Sequence, residues 1–192
     1  MNDFRYSKLS NLLGAILVPA SIIYILLLVF VALSRLDYPF ELNWMEGGLL
    51  SVVERILGGQ AVYAEPSLNY VPFAVTPLYY ILSAIVAGAT GADFMALRLI
   101  SFVSSLLCLT IIFLFVRRET NSKFAGIISA GLFAAFYSVG GGWFDTGGYG
   151  PLNLFLLLTA LYSIRFFRNN LSYILAGVLL FLAFLTTQFS LV

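Results

Sequence analysis

The sequence predicts an all-α, polytopic transmembrane helical bundle, on three observations. Its 192 residues are 61% hydrophobic and 10% charged, far from the balance of a soluble domain. Several apolar runs are of membrane-crossing length, more than one soluble core of this size could bury. The basic residues fall in small groups at the ends of those runs. Net charge is +1, and with no basic block the chain offers nothing to nucleic acid. There is no His and one Cys, Cys108, within an apolar run. Disulfides and cysteine-rich metal sites are thereby excluded, and Cys108 is read as a small core residue.

Arg5 and Lys8 precede the first span, about 9–33. A signal peptide starts similarly, but its apolar core is only about 7–15 residues, so this span is retained, with Pro19 tolerated inside it. A loop of about 34–94 follows, organised around Asn43–Pro77. Within it Leu49, Leu50, Val53, Ile56 and Leu57 recur at helical spacing, with Ser51 and Glu54 off the stripe. The spacing predicts an amphipathic helix lying along a membrane interface, with Glu46 at its mouth. Thr76-Pro77 predicts a second helix start, an N-cap followed by proline at the first helical position. From there about 12 residues remain before Gly88, or about 18 Å, against a hydrocarbon core of about 30 Å. That helix is therefore expected to be re-entrant or interfacial.

Asp93 is placed to cap the next span, about 95–116, which Arg117-Arg118 closes. Further spans are expected at about 124–139, at 151–164 (opened by Pro151, closed by Arg165 and Arg168) and at 171–192, with a glycine-rich loop from Gly140 to Gly148. Charge tests the short helix. If it does not cross, Arg5, Lys8, Arg117, Arg118, Lys123, Arg165 and Arg168, seven of the ten basic residues, share one side, as the positive-inside bias requires. Glu46 and Asp145 then share the opposite, outer face.

Each candidate residue has an alternative role. Asn43 and Glu46 have the spacing of a capping box, in which the glutamate only satisfies a backbone N–H. Asp145 could be a turn residue of its glycine loop. Glu54, Arg55 and Glu65 read as solvated surface charges. Arg98, one turn inside a span, could snorkel to headgroups or bind an anion. The glycines lack the Gly-Lys-Ser of a phosphate loop, and a Ser-His-Asp arrangement is impossible without His. Carboxylates at a lipid surface suit transfer of a sugar from a lipid phosphate to a hydroxyl. The phosphate leaves readily as an anion, whereas the acceptor hydroxyl needs a general base.

Trp44-Met45-Glu46-Gly47, followed by Arg55-Ile56-Leu57-Gly58-Gly59 and Val62-Tyr63, resembles membrane glycosyltransferases of the GT-C fold. The resemblance is to the protein-mannosyltransferase and aminoarabinose-transferase type, including the rhizobial lipopolysaccharide sugar transferases. Tyr70-Val71-Pro72 with Thr76-Pro77-Leu78-Tyr79-Tyr80, then Arg98-Leu99 and Phe144-Asp145-Thr146-Gly147, are similar to further elements of that family, so the likeness covers nearly the whole chain. It implies a GT-C helical bundle with interfacial helices in the first outer loop. It implies catalytic carboxylates at Glu46, as base, and Asp145, with Arg98, Tyr63, Tyr70, Tyr79 and Trp143 on the substrate. The implied donor is a polyprenyl-phosphate sugar and the acceptor a glycan, lipid or protein hydroxyl, with inversion at the anomeric carbon in the lipid bilayer. No cofactor is assigned, a divalent metal being left open. This chain has Gly148 and Gly150 where relatives often carry Arg and Asp, and Thr187 before Gln188 where they often carry Lys.

The family's greater number of spans makes the chain an expected amino-terminal portion of a longer transferase. Two other classes compete. A transporter or lipid flippase would place its ionisable residues within spans near the midplane, and the acids here lie in loops. A small non-enzymatic membrane subunit would be complete at Val192.

Overall fold

The computed structural model describes residues 2–67, 70–73, 75–136 and 144–191. Among the described residues the fold is all-helical, with no strand beyond one isolated bridge between Ser67 and Tyr70. The helices are α1 (Asn2–Arg35), α2 (Glu46–Leu57), α3 (Leu78–Thr90), α4 (Phe94–Thr120), α5 (Lys123–Ala135), α6 (Gly150–Phe167) and α7 (Asn170–Thr186), followed by a 3-10 turn, Gln188–Leu191. Three segments are long and apolar enough to cross a membrane: Leu13–Arg35, Phe94–Thr120 and Gly150–Phe167.

The helices pack as a row, α1 on α5, α5 on α4, α4 on α6 and α6 on α7, with α2 and α3 set against α4 and each other. Two closures depend on small residues. A Cβ at Gly131 would overlap Ser21 of α1, and one at Gly126 would sit 2.9 Å from the Phe113 carbonyl oxygen, so both glycines let α5 approach its neighbours closely. The turns are polar and local. Asn121, at φ 52°, ends α4, and the Ser122 side chain accepts from Ala125 N–H to start α5. Asn169 and Ser172 form a reciprocal capping box at the start of α7.

Hydrogen bonds fix the relative direction of α4 and α6. Ser101 meets Gly148 near the start of both, and Arg118 meets Tyr162 near their ends, so the two helices run parallel. The ends of the bundle therefore differ in charge. Asp37, Glu41, Glu46, Glu54, Glu65, Asp93 and Asp145, seven of the nine acidic residues, lie in the segments of the end where α4 begins. Arg117, Arg118, Lys123, Arg165 and Arg168 lie at the other.

Several local expectations change. The buried face of α2 is Glu46, Leu49, Val52 and Val53, while Leu57 is exposed. Glu46, Leu49 and Val53 fall at i, i+3 and i+7, so the glutamate shares the inward stripe rather than standing at the mouth of an interfacial helix. The Thr76 side chain donates to the Phe184 carbonyl of α7 (2.7 Å) instead of capping α3. Helix α3 continues through Gly88 and stops at Gly91, at φ 105°, a conformation glycine adopts without steric cost. Helix α7 ends at Thr186, with Thr187 in extended conformation. Residues 137–143, including the end of the expected 124–139 span and the glycine loop's first part, lie outside the described residues.

Candidate active site

Glu46 and Arg98 form the centre of the acidic end. Both side chains are 0% exposed. Arg98 donates to Glu46 in a bidentate fork, Nε to Oε1 at 3.0 Å and Nη2 to Oε2 at 2.8 Å. Its remaining N–H groups go to the carbonyls of Arg35 (3.1 Å), Tyr38 (2.5 Å) and Phe40 (2.6 Å). A guanidinium has five N–H donors, and all five are used. Glu46 in turn accepts from Leu42 N–H at 2.7 Å and Gly147 N–H at 2.5 Å, so four donors converge on one carboxylate.

Three expectations meet this geometry. Arg98 neither snorkels nor presents a donor to an anion, because its five N–H groups are divided between Glu46 and the carbonyls of the 35–40 turn. Glu46 is no capping-box residue of the expected kind: Asn43 Oδ1 accepts from Met45 N–H, and the glutamate turns inward to Arg98 and Leu42. As a general base, Glu46 has its acceptor positions filled in this conformation.

Asp145 is the second carboxylate. Its Oδ2 lies 3.4 Å from Arg35 Nη1, and the aspartate side chain is 2% exposed against 31% for the arginine. Arg35 joins the two pairs, since its carbonyl accepts from Arg98 while its guanidinium faces Asp145. The segment carrying Asp145 is clamped to α4. Ser105 donates to the Phe144 carbonyl (2.7 Å), Ser101 donates to the Gly148 carbonyl (2.8 Å) and accepts from its N–H (3.1 Å), and Gly147 is held by Glu46. Ser101 and Ser105 were missed from sequence because serines inside an apolar run carry no periodic signal, and Arg35 because a basic residue at the end of a span reads only as its boundary. Spacing offered one clue: Arg98, Ser101 and Ser105 are three and four residues apart on one helix face.

Gly147 is required by this closure. A Cβ there would lie 2.9 Å from Leu97 Cβ and 3.1 Å from Glu46 Cγ, whereas at Gly148 it would meet only the Thr146 carbonyl oxygen at 4.0 Å. Gly147→Ala should therefore destabilise the protein by about 1–3 kcal/mol, and Gly148→Ala by far less. Unfolding of the two variants in detergent checks this; equal midpoints would show that the segment yields without cost.

The tyrosines expected on the substrate serve the protein's own backbone. The Tyr79 hydroxyl is buried and donates to the Leu97 carbonyl (2.9 Å) beside Ser101. Burial pushes its phenol well above the ordinary range, which keeps it a donor. Tyr70 is buried beneath Arg55, whose guanidinium lies 4.1 Å from the ring centroid, and donates to the Val62 carbonyl. Tyr63 donates to the Val75 carbonyl at 2.6 Å, and burial followed by its neighbour Tyr70 raises its pKa. Arg55 is itself tied to the Ala61 carbonyl, so it shapes the loop after α2. Trp143 lies outside the described residues.

A cavity of about 310 Å³ is lined by Asp37, Tyr38, Asp93 and Phe94 among others. It adjoins the buried pair, since the Phe94 ring centroid is 5.2 Å from the Arg98 guanidinium carbon. Among the described residues no group of three or more His, Cys, Asp or Glu could hold a metal ion.

This fold and site define an integral membrane protein with two linked carboxylate–arginine pairs gathered at one end of a helical bundle. The chain belongs to the dolichyl-phosphate-mannose-protein mannosyltransferase family, whose profile matches residues 72–192, and is thus a member of a membrane glycosyltransferase family. Arg98, Ser101, Ser105 and Asp145 fall within the match, while Arg35 and Glu46 precede it. No curated protein and no solved structure matches the chain.

Proposed function

We propose that the protein transfers a sugar from a polyprenyl-phosphate carrier to an acceptor hydroxyl, with inversion, at the acidic end of the bundle. The observation that carries this reading is the family match across helix α4, which bears Arg98, and the segment before α6, which bears Asp145. In the proposed step Asp145 takes the proton of the acceptor hydroxyl, the oxygen attacks the anomeric carbon, and the sugar–phosphate bond breaks to release the lipid phosphate as an anion. Arg35, the arginine of the site with side-chain exposure (31%), turns from Asp145 to the donor phosphate by charge-assisted hydrogen bonds. Glu46 is a positioning residue: through Gly147 and Arg98 it sets the height of the segment that carries Asp145. The test is transfer in liposomes holding the intact protein and a radiolabelled polyprenyl-phosphate hexose, offered hydroxyl-bearing peptide, glycan and lipid acceptors. Label that reaches none of them, while the donor remains intact, rejects the activity.

The proposed orientation puts the acidic end outside. The five basic residues of the opposite end favour the cytoplasm, and exposed Tyr38, Phe40 and Trp44 at the acidic end suit an interfacial aromatic belt. Cysteine at Ser67 should react with an impermeant thiol reagent added to intact cells, and cysteine at Asn121 should not. The reverse pattern turns the molecule over.

A further inference from the structure

Arg117 and Arg118 lie about 30 Å from Arg98 along α4. There a cavity of about 330 Å³ opens, lined by Leu114, Arg117 and Arg118 of α4, by Asn121 just past its end, and by Tyr162 of α6. Leu114, Arg117 and Arg118 fall at i, i+3 and i+4, a single helix face. The cavity belongs to neither carboxylate pair, and the transfer step does not use it.

Its two arginines differ from Arg98. The exposed Arg118 guanidinium is flanked by Phe166, Phe167 and Tyr162, at 5.1, 5.3 and 5.7 Å from the ring centroids, and donates to the Tyr162 hydroxyl at 3.0 Å. The rings hold it in place without consuming its fork. Arg117, exposed, lies over Phe113 at 5.9 Å. The neighbouring acid does not neutralise them, because Glu119 pairs with Arg165 at 2.5 Å. Two cations therefore face one cavity, with a tyrosine hydroxyl and an asparagine beside them.

The approach to this cavity is apolar. Val103 and Leu107 are exposed and lie on the same face of α4 as Leu114, at separations of 11 and 7 residues. They belong to a helix long and apolar enough to cross a membrane, so this stripe faces acyl chains and ends at the arginines.

We propose that the cavity binds the phosphate of an anionic glycerophospholipid from the surrounding leaflet, with an acyl chain along Val103, Leu107 and Leu114. A planar guanidinium fork suits phosphate oxygens, and the end of a membrane-crossing helix is the depth at which headgroups lie. The apolar stripe favours a lipid over a free anion.

Native mass spectrometry of the intact protein, offered equimolar dioleoylphosphatidylglycerol and dioleoylphosphatidylcholine in mild detergent, tests this. The parent should retain the anionic lipid by about tenfold over the zwitterionic one, the scale expected for two arginines near a headgroup. Arg117→Gln/Arg118→Gln should bring the two lipids to near parity, and Lys123→Gln, an exposed cation of the same end that lines no part of the cavity, should keep the preference. Inorganic phosphate at the same concentration should displace neither lipid. Equal retention by the parent, a preference unchanged in the double variant, or displacement by inorganic phosphate overturns the proposal. Should the double variant fail to fold, exposed Arg117→Gln decides alone: it should lower the preference by roughly threefold, and no change overturns the site.

Discussion

Asp145→Asn is expected to lower sugar transfer by about 10²-fold or more, the usual contribution of a general base, while leaving the protein folded. Asparagine keeps the size of the side chain, and the segment around it stays held by Ser101, Ser105 and Glu46 through the backbone of Phe144, Gly147 and Gly148, none of which the substitution touches. What is lost is the ability to take a proton and the charge facing Arg35. Asp145→Glu should recover part of the rate, since a carboxylate remains, displaced by one methylene. The assay is transfer by reconstituted protein, with the unfolding midpoint measured alongside. A parental rate in Asp145→Asn would return the base to Glu46, and the Glu46–Arg98 pair would then have to open during turnover.

The second large effect is on stability. Removing one partner of a buried ion pair leaves the other charge uncompensated, at about 3–5 kcal/mol, a large share of a typical domain's stability. Arg98→Met should show this, since it strands the Glu46 carboxylate and leaves the Arg35, Tyr38 and Phe40 carbonyls without their donor. Glu46→Gln should be nearly as harmful, because four donors converge on the carboxylate and the amide's NH₂ turns a donor toward two of them. In Glu46→Met/Arg98→Met no charge is stranded, so the double variant should lose less than the sum of the single losses. It should still not regain parental stability, because buried backbone groups left unpaired cost about 1–3 kcal/mol each. A double-mutant cycle of unfolding midpoints measures the coupling. Strict additivity would mean that the fork contributes nothing net and that Arg98 acts through its carbonyl contacts alone.

The same pair shows where sequence reading stops. Hydropathy and run length are local properties, so the helical membrane class was legible from composition, and the coarse family from the order of short motifs between Trp44 and Gly147. Glu46 and Asp145 were legible as candidates because carboxylates are conspicuous in a chain that is 10% charged. The partner of each was not. A helical stripe assigns apolar residues to the inner face, and α2 was read with Glu46 at its mouth, because an acid on the buried stripe is improbable without a cation to meet it. That cation is Arg98, 52 residues away in sequence.

By itself, then, the sequence determined that the chain is helical, that it belongs in a membrane, and which few charges must be accounted for. Tertiary structure alone decided that Arg98 serves the backbone of the 35–40 turn rather than a ligand, that the Tyr79 and Tyr70 hydroxyls are spent on carbonyls, and that Ser101 and Ser105 hold the segment carrying Asp145. The reason is physical. Burying a polar group is tolerable only when its hydrogen bonds are met, and which groups meet them depends on separations that appear only when α1, α2, α4 and the 144–148 segment come together.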